Sequence, residues 1–296
     1  MLFRSLLEGA DGQVLGKVLG EGKSAPIPGH VFTAEAKARA AAAIDALAKA
    51  VLAAGRPSAV MAGMTGVDNK SDSARHFTAA FAQALGVDPA RVSVVSDVDI
   101  AYRANFAPGE GYLVYAGTGA VGAYIDASGA TIAVGGRGEL VDDAGAAHWI
   151  AMQGLRAALR MEDAAPGSGW ASPLGEELAR DMRVDVSEGT DWPAIRDVVY
   201  GHGRGAIGVL AKAVGRAGRR GDARALAILD AAGVELAQIA HAFATRFGPR
   251  PIVLTGGAPH VHARIFESFA RAAPEGCPAR NVDTDAAMAA ARIAAG

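Results

Sequence analysis

Cysteine is almost absent from this 296-residue sequence, which contains only Cys277. One cysteine excludes an intramolecular disulfide framework, a cysteine-based zinc site and a subunit that supplies paired cysteines to an iron–sulfur cluster. An excess of charge of one sign is missing as well, because 29 Lys and Arg balance 31 Asp and Glu to a net charge of -2. Such a balance gives no basic footprint, so the sequence predicts no nucleic-acid partner.

Long hydrophobic runs are also lacking. The apolar run at the N-terminus is too short for a signal peptide, and no stretch approaches the ~20 uninterrupted apolar residues of a membrane span. Aromatic residues make up only 6% of the chain, whereas 51% is hydrophobic and 38 residues are Gly. We therefore expect a globular, cytoplasmic protein without a membrane partner and, at ~100–200 residues per domain, with two domains.

Helical and strand-like patterns alternate in the first hundred residues. Residues 33–54 and 74–85 have the apolar spacing of amphipathic helices, and short apolar runs at 58–64 and 91–96 predict buried strands. This alternation is typical of a sheet with helices packed on it. The buried stripe of the first helix is predicted to consist of Ile44, Leu47, Val51 and Leu52.

The pattern changes after residue 110. Strands at 111–115, 121–126 and 130–134 predict an antiparallel meander with a glycine-rich first bend. Residues 163–193 give no clear pattern. Further helices are predicted at 145–160, 203–216, 222–247 and 284–294, with a strand at 251–254.

A weak internal repeat links the two halves. The strand, turn, strand and glycines of residues 6–22 return at 123–136, with Gly12 matching Gly129. In this alignment the strand that precedes Gly117 has its counterpart at or before the first residue. The repeat therefore predicts that one of two glycine-rich loops, with its strand, is missing from the chain.

The glycine-rich bend, Gly117-Thr118-Gly119-Ala120-Val121-Gly122, matches G-x-G-x-x-G after a strand. That pattern binds a dinucleotide only where a helix begins at the last glycines, and the turn within seven residues of Gly122 leaves no room for one. Two interpretations remain open. The loop offers backbone N–H groups and a hydroxyl to a phosphate, or it is simply a tight bend.

Polar residues follow several predicted strands. Asp97, Asp68-Asn69 and Asp142-Asp143 all lie just past a strand, where ligands bind in open α/β sheets. Asp and Asn are also common in turns and helix caps, so a structural role is open for each of them.

Together these segments resemble the sugar kinases of the actin-like ATPase superfamily, and specifically the N-acetylglucosamine and glucosamine kinase group of the BadF/BadG/BcrA/BcrD ATPase family. They occur in the family's order and cover nearly the whole chain. The segments that carry the resemblance are residues 61–69, the strand into Ser96-Asp97, residues 115–119, Gly135-Gly136-Arg137-Gly138 through Asp143-Ala144-Gly145 to His148-Trp149-Ile150, and residues 253–257.

The resemblance implies a two-lobed, actin-like (ribonuclease H-like) α/β fold with mixed sheets flanked by helices. The N-terminal lobe is expected at residues 1–106 and the C-terminal lobe at 107–283, with a helix at 284–296 that packs back on the N-terminal lobe. Homodimers are common in such families.

The implied reaction is ATP-dependent phosphorylation of an amino sugar, N-acetylglucosamine or glucosamine, on its 6-hydroxyl, with ATP and Mg²⁺ as cofactors. By position Asp97 resembles the general base that takes the hydroxyl proton. No protein ligand to a metal is assigned. The remaining implied residues are Gly117, Thr118 and Gly119 as a phosphate loop, Gly256 and Gly257 on the adenosine side, and Asn69, Asp143 and Gly136 at the sugar.

Three departures from the family pattern bear on activity. The N-terminal Asp-Gly-Gly-Gly-Thr loop, which holds Mg²⁺ and the ATP phosphates, has no counterpart, and a truncated or mis-assigned start would explain this. Arg137 replaces the Trp of Gly-Gly-Trp-Gly, and Ala144 and Ala146 replace the Glu and Ser of the following motif. We expect the chain as written to be impaired.

Three alternatives are weighed against the kinase. The first is a catalytically silent homologue that acts as a sugar sensor or interaction protein. The second is the reductase-activating branch of the family, which carries an iron–sulfur cluster on paired cysteines and so conflicts with the single Cys277. The third is a nicotinamide-dependent dehydrogenase, which would require a helix directly after Gly122.

Overall fold

The computed structural model describes residues 2–8, 14–23, 27, 33–67 and 71–295. The chain divides into two compact units, Met1–Phe106 with Thr284–Gly296 (unit 1) and Ala107–Asp283 (unit 2). Of the predicted site residues, Asn69 lies outside the described residues.

Unit 1 contains two two-stranded sheets and the helices that pack on them. Its first sheet is antiparallel, and its second, formed by β3 and β4, is parallel. The elements in chain order are β1 (Leu2–Glu8), β2 (Val14–Lys23), α1 (Ala34–Ala54), β3 (Val60–Gly63), α2 (Asp72–Leu85), β4 (Val92–Val95) and α3 (Asp97–Arg103).

The apolar face of α1 forms the centre of the unit 1 core. Thr33 caps this helix by accepting a hydrogen bond from the Ala36 amide. Ile44, Leu47 and Val51 are buried as predicted. The prediction was wrong for Leu52, which is 39% exposed, because the residue after Val51 lies about 100° further round the helix.

Unit 2 is built on a five-stranded mixed sheet in the order β7-β6-β5-β8-β9. β6 pairs antiparallel with both β5 and β7, whereas β5, β8 and β9 run parallel. Its elements are β5 (Tyr112–Ala116), β6 (Ala120–Ile125), β7 (Thr131–Gly135), α4 (Ala147–Ala164), α5 (Pro173–Met182), α6 (Trp192–Gly201), α7 (Arg204–Val209), α8 (Ala211–Arg219), α9 (Ala223–Phe247), β8 (Ile252–Thr255), α10 (Ala263–Ala272) and β9 (Ala279–Asn281). The chain then returns to unit 1 with α11 (Ala286–Ala295), which packs on β1 and β3.

The predicted helix at 203–216 is divided in the structure. α7 and α8 meet at Leu210, whose amide bonds to the Ile207 carbonyl three residues back. The unpredicted stretch 163–193 contains α5 and leads into α6. Ser172 caps α5 and Pro173 begins it, a combination that favours a helix start.

The long helix α9 packs on the sheet of unit 2. Its length and composition would suffice to cross a membrane, but Leu229, Leu236 and Phe243 on it are fully buried within the protein. Gly122, in β6, allows this packing, since a Cβ there would lie 2.3 Å from Ile239 Cγ2. β6 continues past Gly122 to Ile125, so the helix that the dehydrogenase alternative requires directly after Gly122 is not formed, and the glycine serves helix packing.

An α/β fold with a mixed sheet flanked by helices is therefore confirmed. The same topology places the carboxyl ends of neighbouring parallel strands at one edge in each unit, β3 with β4 and β5 with β8. The polar and glycine-rich segments singled out in the sequence follow these four strand ends, except Gly136 and Asp142-Asp143, which follow β7.

Candidate active site

The glycine pairs of unit 2 meet at the carboxyl edge of its sheet. β5 and β8 are in register, with Tyr115 opposite Thr255, so Gly117 and Gly256 leave the sheet side by side. Gly256 has φ +102°, and a Cβ on it would lie 2.4 Å from the Ala116 carbonyl oxygen. Only glycine combines this backbone conformation with this approach.

The loop of Gly117, Thr118 and Gly119 is anchored on its carbonyl side. The Gly117 carbonyl accepts from the Ala147 amide at 3.0 Å, and the Thr118 carbonyl accepts from the His148 amide at 3.2 Å. The first amides of α4 therefore donate to carbonyls of this loop. Among the described residues, no partner is found for the N–H groups of Thr118 and Gly119 or for the Thr118 hydroxyl.

Asp143 fills the space beside this loop. It has φ +63°, rare for a residue other than glycine, and it is only 4% exposed. Its Oδ1 accepts from the Ala120 amide at 3.2 Å. A Cβ on Gly119 would lie 2.4 Å from its Oδ2, so the glycine leaves room for the carboxylate. A buried carboxylate on a strained backbone is a feature of functional sites.

Arg204, at the start of α7, neutralises this carboxylate. Its Nη1 lies 3.3 Å from Asp143 Oδ2 and 3.0 Å from Glu139 Oε2. The pKa of Glu139 is lowered, first by a hydrogen bond from its own amide and then by Arg204. Burial lowers the pKa of the nearby His148, and Arg204 adds to this effect while Glu139 opposes it. The lowered pKa of His148 favours the uncharged form of its imidazole beside the ion pairs of Arg204.

Gly136 lies on the other side of the same region. It has φ +67°, its amide donates to the Ala120 carbonyl at 2.9 Å, and a Cβ would meet Val121. A cleft of about 150 Å³ opens next to it, with polar side chains at its rim. The residues that line the cleft are Ala120, Val134, Gly135, Asp142, Asp143, Ala144, Glu235, Gln238 and Ile239.

Asp97 lies at the corresponding edge of unit 1. The prediction placed it just past a strand, and the structure makes it the first residue of α3, after the N-cap Ser96. Its Oδ1 accepts from the Val98 amide at 3.0 Å, and its Oδ2 accepts from the Thr65 hydroxyl at 2.7 Å. The carboxylate is half-buried, so solvent and ligands can reach it.

A second carboxylate stands two residues further on. Asp99 is 1% exposed and its Oδ1 is 2.6 Å from Arg103 Nε, one helical turn away. This ion pair within α3 is structural, and it leaves Asp97 as the accessible carboxylate of the helix.

Two glycines of the phosphate-loop candidate are expected to respond differently to substitution. In Gly119→Ala the new methyl group would displace Asp143 from the Ala120 amide and from Arg204, which lowers the free energy of unfolding by about 1–3 kcal/mol. Gly117→Ala is the control, because its Cβ would meet only the ring edge of Tyr115 at 3.3 Å. Thermal melts compare the two, and an equal loss in both variants would contradict the packing described here.

Comparison with known proteins identifies the family. The profile of the BadF/BadG/BcrA/BcrD ATPase family matches residues 9–267, most of the chain. The chain belongs to this family. No curated protein matches it.

Several solved structures share the fold of this family member. A protein from Chromobacterium violaceum, provisionally named an N-acetylglucosamine kinase, is 24% identical, with a TM-score of 0.66 over 95% of this chain and 93% of its own. One from Porphyromonas gingivalis, named in the same way, is 12% identical, with a TM-score of 0.70 over 100% and 98% of the two chains. A ROK family glucokinase from Streptomyces griseus, in complex with glucose and AMPPNP, is 17% identical, with a TM-score of 0.54 over 99% and 98%. The fold is therefore the actin-like ATPase fold, as predicted.

Three residues of these edges were not found by sequence reasoning. Thr65 lies inside a segment that carries the family resemblance, but nothing in the pattern pointed to its hydroxyl. Arg204 contacts both Glu139 and Asp143, and it lies 65 and 61 positions away from them in sequence, so only the tertiary structure brings it to the two carboxylates. No periodicity or spacing signals an ion pair of that kind.

Proposed function

We propose that this family member is an ATP-dependent sugar kinase that phosphorylates an amino sugar, N-acetylglucosamine or glucosamine, on its 6-hydroxyl. Family membership and fold support the kinase class. The main observation in support of ATP binding is the loop at the end of β5. There, two backbone N–H groups and the Thr118 hydroxyl lack partners among the described residues. Donors of this kind, next to glycines that permit close approach, suit a phosphate.

In the proposed reaction the sugar hydroxyl oxygen attacks the terminal phosphorus of ATP. The bond from that phosphorus to ADP breaks as the bond to the sugar oxygen forms, and the hydroxyl proton passes to the Asp97 carboxylate. Phosphoryl transfer of this type depends on positioning and charge stabilisation more than on covalent chemistry. The half-buried, ionisable Asp97 fits the base, since the buried Asp99 is held by Arg103.

The remaining proposed roles are contacts to the phosphates, the adenosine and the sugar. Gly117, Thr118 and Gly119 would bind phosphate oxygens, and Gly256 with Gly257 would contact the adenosine. Asp143 and Gly136 are proposed as sugar ligands, supported by their shared position against Ala120 and the adjacent cleft. Asn69 keeps its proposed sugar role from the family resemblance.

Mg²⁺ is the usual companion of ATP in phosphoryl transfer. In the part of the chain that the structure describes, no group of three or more His, Cys, Asp or Glu side chains could hold a metal ion. A Mg²⁺ ion that accompanies ATP is held by one or two carboxylates together with the phosphates, so it needs no such group. The reaction above assigns no step to a protein-bound metal.

A specific observation favours the silent sugar-binding homologue as a second candidate. Ala146 occupies the N-cap of α4 without a side-chain hydrogen bond, and Ala144 lines the cleft. A Ser and a Glu at these places would have added two polar groups beside Asp143. A chain with fewer polar groups at the sugar can retain binding while losing turnover.

Two measurements on one preparation separate these functions. Coupled ADP release is followed with Mg·ATP over a panel that includes N-acetylglucosamine, glucosamine and glucose, and sugar binding is followed by calorimetry. Sugar-dependent ADP release with an amino sugar is the expected result. Sugar binding with no ADP release would support the sensor instead. If the folded protein showed neither sugar binding nor ADP release, both proposals would be overturned.

A further inference from the structure

The hydroxyl of Thr65 donates to Asp97 across the edge of unit 1. The distance from Thr65 Oγ1 to Asp97 Oδ2 is 2.7 Å, which is a good hydrogen bond between a hydroxyl and a carboxylate. Thr65 itself is exposed and lies outside the hydrophobic core. The contact therefore links two accessible side chains that are 32 positions apart in sequence.

Local structure brings these two side chains together. β3 and β4 are parallel and in register to Gly63 and Val95, and the Met64 amide continues the pairing by donating to the Val95 carbonyl at 2.9 Å. Thr65 thus leaves β3 next to the start of α3. Gly63 permits this, because a Cβ there would lie 2.6 Å from Ile100 Cδ1.

A carboxylate at a helix start is also drawn towards the helix. The first amides of a helix lack partners inside it, and a nearby carboxylate turns towards them. Asp97 Oδ1 does so by accepting from the Val98 amide, whereas Ser96 takes the Asp99 amide. Thr65 holds the second oxygen away from the helix, on the side where β3 ends.

We infer that Thr65 is a positioning residue for Asp97, which fixes the orientation of the carboxylate that receives the sugar proton. The inference rests on the role proposed for Asp97. Without the hydroxyl, the carboxylate can rotate about its Cα–Cβ bond and point both oxygens at the amides of α3. The base would then be misplaced at the moment of transfer, while the sugar keeps its other contacts.

The test compares Thr65→Val, which keeps the shape of the side chain, with Thr65→Ser, which keeps the hydroxyl. We expect Thr65→Val to lower kcat about tenfold, the size expected for one hydrogen bond to a charged group. KM should rise by about threefold at most. Thr65→Ser should stay within about twofold of the unsubstituted protein. Melting temperatures should be unchanged in both, because Thr65 is exposed.

A double-mutant cycle on sugar binding gives a readout that does not need turnover. Calorimetric affinity for the best sugar of the panel is measured for Thr65→Val, Asp97→Asn and the double variant. We expect Thr65→Val to weaken sugar binding about threefold alone and to have no effect once Asp97 is Asn. Thr33→Val is the control, since it removes a capping hydroxyl of α1 and should lower the melting temperature without changing sugar affinity.

The outcomes are distinct. Equal effects of Thr65→Val in both backgrounds, or a Ser variant as impaired as the Val variant, would overturn the positioning role and leave the proposed kinase intact. If Asp97→Asn changes neither turnover nor sugar affinity, the role of Asp97 fails and this inference fails with it. A folded protein that binds no sugar would overturn the proposed function itself.

Discussion

Asp97→Asn is expected to reduce sugar-dependent ADP release by about 10²–10⁴-fold, the usual contribution of a general base. The amide keeps the size of the side chain and can still accept from the Val98 amide, but it cannot take up a proton. Sugar and nucleotide affinities should change by less than about tenfold, because the base contributes to transfer more than to binding. Steady-state kinetics and calorimetry on the same variant measure both.

Unit 1 offers a closely matched control for this substitution. Asp72 is the first residue of α2 and follows the N-cap Ser71, just as Asp97 follows Ser96 in α3. Asp72→Asn therefore removes the same favourable charge at a helix start, worth about 0.3–1 kcal/mol. It should leave turnover unchanged. A comparable loss of activity in both variants would mean that helix stability, and not proton transfer, explains the effect of Asp97→Asn.

The positions of most elements could be predicted from local sequence. The cap at Thr33 and the apolar spacing predict a helix at residues 33–54, and in the structure α1 begins at Ala34 and ends at Ala54. The meander was equally accessible, because glycines and the turn at Asp126 separate its short apolar runs. The helix at Asp97 was missed, although Ser96 is a good N-cap, because the polar residues after β4 resemble a loop.

The candidate site was accessible only in part, for a physical reason. Glycines and carboxylates that follow strands can be selected from sequence, since parallel strands bring their ends to one edge. The pairing of Asp143 with Arg204, and of Thr65 with Asp97, depends on tertiary packing that places distant segments together. Sequence spacing carries no information on such pairs, so these partners emerged only from the structure.

The neighbouring glycines Gly256 and Gly257 are expected to separate folding from nucleotide binding. Gly256 has φ +102°, and in Gly256→Ala the new Cβ would lie 2.4 Å from the Ala116 carbonyl oxygen. The backbone conformation costs about 1–2 kcal/mol and the overpacking about 1–3 kcal/mol. At about 2–4 °C per kcal/mol, the melting temperature should fall by several degrees.

Gly257→Ala should behave in the opposite way. Its φ is −78°, and no atom lies within 4 Å of the added Cβ, so the melting temperature should stay within about 1 °C of the unsubstituted protein. If the adenosine approaches the backbone here as proposed, the methyl group occupies its place and weakens AMPPNP binding about tenfold. Calorimetry with AMPPNP measures this, and unchanged affinity would remove Gly257 from the nucleotide site. The open space beside Gly257 would then require another explanation, because nothing in the packing of the described residues demands a glycine there.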